Sequence, residues 1–148
     1  MSEICRSHFV QGRSLIKAHD GYLIKTIGDS LMVSFRSGKD ALDFAIEFRK
    51  QPGSDQIKIR AGIHVGPVQI EDEDAFGTMV NYAARVVGAA KGAEIFASSR
   101  AHSDIIQLGS KAHADIAWGQ HVTDLKGFTG QQDLWEANSA KTMTPINP

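Results

Sequence analysis

The sequence holds 148 residues, 42% of them hydrophobic and 22% charged, with a formal net charge of −1. That is one domain's length with enough apolar material for a core, and the charge balance lacks the basic footprint by which nucleic-acid binders collect phosphates along a strand. No apolar run approaches the ~18 residues of a membrane span, the N-terminus lacks the basic-then-apolar order of a signal peptide, and the single cysteine, Cys5, excludes an internal disulfide and suits a reducing cytoplasm.

In chain order, residues 3–19 read as a helix, with Ile4, Phe9, Val10 and Ile16 among polar positions and Gly21 in place for a C-terminal stop. Tyr22–Ile27 and Leu31–Phe35 are apolar and β-rich around Gly28 and Asp29, which predicts a tight hairpin. Residues 39–50 put Ala41, Phe44, Ala45 and Phe48 at helical spacing until Pro52 and Gly53 break the pattern. Ile57, Ile59, Ala61, Ile63 and Val65 alternate, predicting one long half-buried strand from Ile57 to Val68 that continues to Ile70 after Pro67. The acidic run Glu71–Asp74 reads as a turn into a helix over 77–91. There follow a short strand at 94–97, a helix opening at Ser98 or Ser99, and a weakly patterned stretch from Gly109 to Trp118. A hairpin of His121–Leu125 and Asp133–Ala137 closes a domain of residues 1–138, with 139–148 as a flexible tail. Trp118 and Trp135 are assigned to packing. This order predicts an α+β fold, a mainly antiparallel sheet covered by helices on one face.

One pair stands out from its surroundings. The stretch from Gly77 to Lys91 is otherwise small and apolar, yet it carries Asn81 and Arg85. Residues four apart on a helix project from one face, so an amide and a guanidinium would converge on one ligand, an arrangement suited to a phosphate ester.

Four segments resemble, in the right order over residues 10–137, the class III adenylyl/guanylyl cyclase catalytic domain. They are Lys25–Met32 (Lys-Thr-Ile-Gly-Asp-Ser-Leu-Met), Ile59–Val68 (Ile-Arg-Ala-Gly-Ile-His-Val-Gly-Pro-Val), Phe76–Arg85 (Phe-Gly-Thr-Met-Val-Asn-Tyr-Ala-Ala-Arg) and Leu125–Phe128 (Leu-Lys-Gly-Phe). The resemblance implies a ferredoxin-like nucleotide cyclase fold acting as a head-to-tail homodimer or heterodimer with another cyclase domain, with active sites at the subunit interface. It implies cyclisation of ATP to 3′,5′-cyclic AMP and pyrophosphate with Mg²⁺ or Mn²⁺; charge and hydropathy, for their part, predict no nucleic-acid partner and no direct membrane contact in this segment.

By the same resemblance, Arg85 matches the arginine that stabilises charge developing on the phosphates, Asn81 the asparagine that orients the ribose, and Lys126 a lysine that reaches the terminal phosphates. Asp29 matches one of two metal-binding aspartates; a carboxylate at a hairpin tip is a hard oxygen donor of the kind Mg²⁺ takes. Lys25 and Asp74 match the pair that selects adenine, whose edge offers an acceptor beside a donor amino group, and Asp72 is the fallback acceptor. His64 and Arg60, on the long strand, read as structural or as supports of the site residues rather than as catalytic.

The departure from the family pattern lies at the start. Family members open with a strand carrying an aspartate and a hydrophobic-Gly-Phe-Thr sequence, and nothing like it precedes Asp29; Asp20 is the only earlier aspartate. The expectation is therefore a fold short of its first strand and first metal aspartate. An alternative function follows: a catalytically impaired homologue that dimerises with or regulates a complete cyclase subunit.

Overall fold

The computed structural model describes residues 3–51, 58–67, 69–71, 74–108 and 115–139. Its elements are α1 (Glu3–Ala18), β1 (Tyr22–Ile27), β2 (Ser30–Ser34), α2 (Gly38–Arg49), β3 (Ala61–Ile63), β4 (Gln69–Glu71), β5 (Asp74–Phe76), α3 (Thr78–Ala89), β6 (Ile95–Ser98), α4 (Ser99–Leu108), β7 (Ile116–Asp124) and β8 (Gln131–Ser139). The result is the expected α+β architecture. Its main sheet has the order β3-β6-β8-β7, with β3 parallel to β6 and the other pairs antiparallel. Two antiparallel hairpins, β1-β2 and β4-β5, form separate small sheets.

Strand β6 is buried along its whole length, and its residues divide between two cores. Ile95 and Ala97 join Leu42 and Ala45 of α2, Ile63 of β3, and Ala101 and Ile105 of α4. Phe96, pointing the other way, joins Val86 of α3 with Leu125 and Leu134. Helices thus cover both faces of the main sheet rather than one. The unbroken apolar run Ile95-Phe96-Ala97 is the mark of such a doubly covered strand, whereas simple alternation marks one solvated face.

The long strand expected from Ile57 to Val68 is shorter. Only Ala61–Ile63 pair with β6, because β6 ends at Ser98 where α4 begins and offers no further ladder. Pro67, with no N–H to donate, lies outside the strand, while Pro52, Gly53, Ile57 and Val68 lie outside the described residues. The acidic run is a hairpin rather than a plain turn, since β5 begins at Asp74, opposite Glu71. Asp72 lies outside the described residues. Strand β7 starts at Ile116, inside the stretch that looked unpatterned, and β8 runs on through Ser139; the remainder of the expected tail is outside the described residues.

Helix α1 ends differently from expectation. The Gly21 N–H bonds Ile16 O at 2.8 Å and the Asp20 N–H bonds Lys17 O at 3.1 Å, a Schellman closure in which Asp20, at φ 56°, takes the left-handed position. Gly21 is required for another reason: a Cβ there would sit 2.5 Å from the Phe35 ring. Helix α2 is capped by Ser37 Oγ, which accepts the Asp40 N–H at 3.1 Å, and by Asp104 Oδ2, which accepts the Gly38 N–H at 3.3 Å.

The contact that places α3 is closer still. A Cβ on Gly62 would intrude on the backbone of Val87, 2.7 Å from its Cα, so β3 and α3 meet backbone to backbone. Gly62→Ala is therefore expected to lower stability by about 1–3 kcal/mol through overpacking, read as a shift of the denaturant midpoint. An unchanged midpoint would refute the close approach.

Candidate functional site

Helix α3 is buried on the side that carries Val86 and open on the side that carries Thr78, Asn81, Ala84, Arg85 and Gly88. Asn81 and Arg85 are both exposed, one turn apart, as the i, i+4 spacing requires. Asn81 also makes the first backbone bond of the helix, its N–H to Gly77 O at 3.2 Å. No ion pair to a described residue occupies the Arg85 guanidinium.

Between the C-terminal half of α3 and β7 lies a cleft of about 660 Å³ whose walls include Arg85, Lys91, His121, Asp124 and Lys126. Arg85 lines it from the helix and Lys126 from the turn that follows β7. Lys126 is exposed at the start of the turn between β7 and β8, while its neighbour Leu125 is anchored in the core at 6% exposure and accepts the Phe128 N–H at 3.0 Å. An anchored residue beside an exposed lysine sets where that lysine enters solvent. Asn81 does not line this cleft.

The remaining predicted residues lie elsewhere. Lys25 sits on β1 just after a register shift that leaves Ile24 as an extra, buried residue, a bulge that re-aims the side chains beyond it. Asp74 begins β5, and β1 packs against β5, so Lys25 and Asp74 occupy neighbouring strands. Asp29 is exposed in the β1-β2 turn. Among the described residues no three His, Cys, Asp or Glu side chains converge as a metal site. Asp29 alone is one carboxylate, which does not make up a metal centre. No described helix is long and apolar enough to cross a membrane.

The sequence pattern that defines the adenylate and guanylate cyclase catalytic domain matches residues 1–117. The chain belongs to that family. It is 31% identical over 116 residues to an uncharacterized protein of Mycobacterium tuberculosis, covering 77% of this chain and 29% of that one. It is 33% identical over 129 residues to the adenylate cyclase of Mycosarcoma maydis, covering 66% of this chain and 5% of that protein. The chain thus spans under a third of the length of these relatives. Among solved structures, a monomeric adenylate cyclase of Trypanosoma brucei superimposes with a TM-score of 0.78 at 19% identity, over 97% of this chain and 81% of that one, a likeness of fold.

Beneath the open face of α3 this cyclase domain carries a polar cluster that pattern reading left as structural background. His64 Nδ1 is 2.6 Å from Ser98 Oγ, and its Nε2 is 3.3 Å from Met79 Sδ. A thioether has no proton to give, so Nε2 holds the hydrogen of the neutral ring and Nδ1 accepts from the Ser98 hydroxyl. The same Oγ accepts the Ala101 N–H at 3.1 Å and caps α4. Ser98, at 1% exposure, is in this way fully engaged. The His64 ring lies 4.6 Å from that of Tyr82, which in turn meets Phe128 edge-on at 4.9 Å. The one available signal was the position of His64 and Tyr82 within matched segments.

Burial, and then the charge of Arg100, hold the His64 pKa below 6.5; burial does the same for His102. The native state therefore binds protons less readily than the unfolded chain. Stability is full above about pH 6.5 and declines as the pH falls below it toward the lower native values. The denaturant midpoint should drop between about pH 7 and pH 5, and His64→Gln should make that drop shallower. Equal slopes in the two proteins would remove His64 from the account.

Proposed function

We propose that this domain cyclises ATP to 3′,5′-cyclic AMP and pyrophosphate in the cytoplasm, for intracellular signalling, as a homodimer or paired with another cyclase domain. The observation that carries the reading is the placement of Arg85 and Lys126 in the lining of one cleft on a domain of this family. In the reaction the ribose 3′-hydroxyl loses its proton, its oxygen bonds to the α-phosphorus, and the bond from that phosphorus to the bridging oxygen breaks with release of pyrophosphate.

Charge builds on the phosphates as that bond breaks, and Arg85 meets it with a guanidinium whose donors are fixed in one plane. Lys126 holds the departing phosphates as a point charge, and Asn81 orients the ribose by its amide. Lys25 donates to the adenine acceptor nitrogen and Asp74 accepts from the amino group. A divalent ion, Mg²⁺ or Mn²⁺, would neutralise phosphate charge, with Asp29 as one oxygen ligand. The described residues do not assemble the rest of such a centre, so no step above depends on it.

The presence of Asn81, Arg85 and Lys126 supports a second reading as well, in which this chain lends these three residues to a complete partner subunit. The two readings separate in one assay, cyclic AMP formation with ATP and Mg²⁺ or Mn²⁺, by the chain alone and mixed with an active cyclase domain. Under the first reading the chain alone turns over, and Arg85→Ala lowers the rate about 10²–10³-fold; under the second, activity appears only in the mixture and falls with the same substitution. Wild-type rates for Arg85→Ala in both settings would overturn both.

Base choice has its own test. Lys25→Glu combined with Asp74→Ser should move preference from ATP toward GTP, measured as the ratio of kcat/KM values. An unchanged ratio would refute the assignment of this pair.

A further inference from the structure

Lys126 sits in a turn that has little reason of its own to hold still. Residues 125–130 include two glycines in the left-handed region, Gly127 at φ 88° and Gly130 at φ 78°, and glycine backbones interconvert at low cost. Leu125 anchors the entry to the turn, and the remainder needs a second tether. The structure supplies it from outside the hairpin.

We infer that Tyr82 is a positioning residue, whose hydroxyl anchors the Gln132 amide so that the amide clamps the Lys126 turn and keeps Lys126 in the lining of the cleft it shares with Arg85. Tyr82 Oη donates to Gln132 Oε1 at 2.8 Å. Gln132 Nε2 then donates to Thr129 O at 3.0 Å and Gly130 O at 3.2 Å. An amide oxygen only accepts and its nitrogen only donates. With the amide turned over, Oε1 would face two carbonyl oxygens and both tethers would be lost. The two carbonyls, which only accept, thus fix the orientation of the amide, and the phenol holds its outer end by donating to the oxygen they leave free.

The Tyr82 ring reinforces the same link. It packs edge-on against Phe128 of the turn and lies over His64, which is itself held by Ser98. Tyr82 neighbours Asn81 and lies three residues before Arg85, so one helical turn of α3 carries two proposed ligand-facing residues and the strut to a third. Burial first, then the charge of Asp133, push the phenol pKa up, so the hydroxyl stays a donor across the working pH range. Were Tyr82 only a filler of the α3 core, a phenylalanine ring would serve equally.

The positioning claim stands on the hydrogen bonds; its consequence for ligand binding rests on the function proposed above. Both can be read on the full chain with Tyr82→Phe, which keeps the ring contacts, and Gln132→Glu, which replaces the donor by an oxygen. Hydrogen exchange should speed up about three- to tenfold at amides 125–132, the range that loss of one hydrogen bond allows, with the amides of β6 unchanged. In titrations with ATP, Tyr82→Phe should weaken binding by a similar factor in the wild-type background and add nothing once Lys126→Ala is present.

Unchanged exchange in both variants would overturn the inference. So would additive effects of Tyr82→Phe and Lys126→Ala, which would mean that Tyr82 does not act through the lysine. Faster exchange at the turn in the two variants, together with no ATP binding by the wild-type domain, would uphold the strut and sink the nucleotide reading.

Discussion

The backbone contact between Gly62 and Val87 governs the geometry of this domain. With no Cβ between them, α3 lies down on β3 and β6 at a distance that any other residue would forbid. That seating puts Val86, at 0% exposure, into the core with Phe96 and Leu134, and a helix pinned at one residue is pinned in rotation as well. Arg85 then has to face outward, and Tyr82, one turn earlier, has to face the β7-β8 turn. Two kinds of side chain with different duties follow from one missing methyl group.

A second layer of order comes from polar groups that serve two partners at once. Ser98 caps α4 and satisfies His64, and Gln132 accepts from Tyr82 while donating to two turn carbonyls. Polar groups withdrawn from water cost free energy unless their donors and acceptors are met, and here they tie the end of β3 to β6 and α3 to the β7-β8 turn. Aromatic stacking works alongside them on the opposite face of the sheet. There His102 lies flat on Trp135 at 4.0 Å and edge-on to Trp118, which accounts for both tryptophans as packing.

Local signals in the sequence were readable where structure is local. The β1-β2 hairpin, α2 and α3 could be placed within a residue or two because their patterns, turn residues and breakers lie within a dozen positions. What could not be read depends on partners far along the chain. Strand β3 is cut short by the end of β6, β7 begins early because β8 pairs with it, and Asp74 starts a strand because Glu71 sits opposite. The open stripe of Asn81 and Arg85 followed from helical spacing. Their possible relation to Lys126 came only through family resemblance, and nothing in spacing could have linked Tyr82 to Gln132, 50 residues on, or His64 to Ser98, 34 residues on.

Among the described residues no backbone ladder joins the three sheets to one another. Lys25 and Asp74 ride on the two small ones, and Arg85 and Lys126 flank the large one. The separation between these groups is therefore set by how side chains fill the space between layers, and no ladder of backbone bonds locks it. Such a gauge can be retuned from a distance. A core substitution far from any polar residue, one methylene larger or smaller, would lengthen or shorten the distance between these two groups while leaving every polar side chain unchanged.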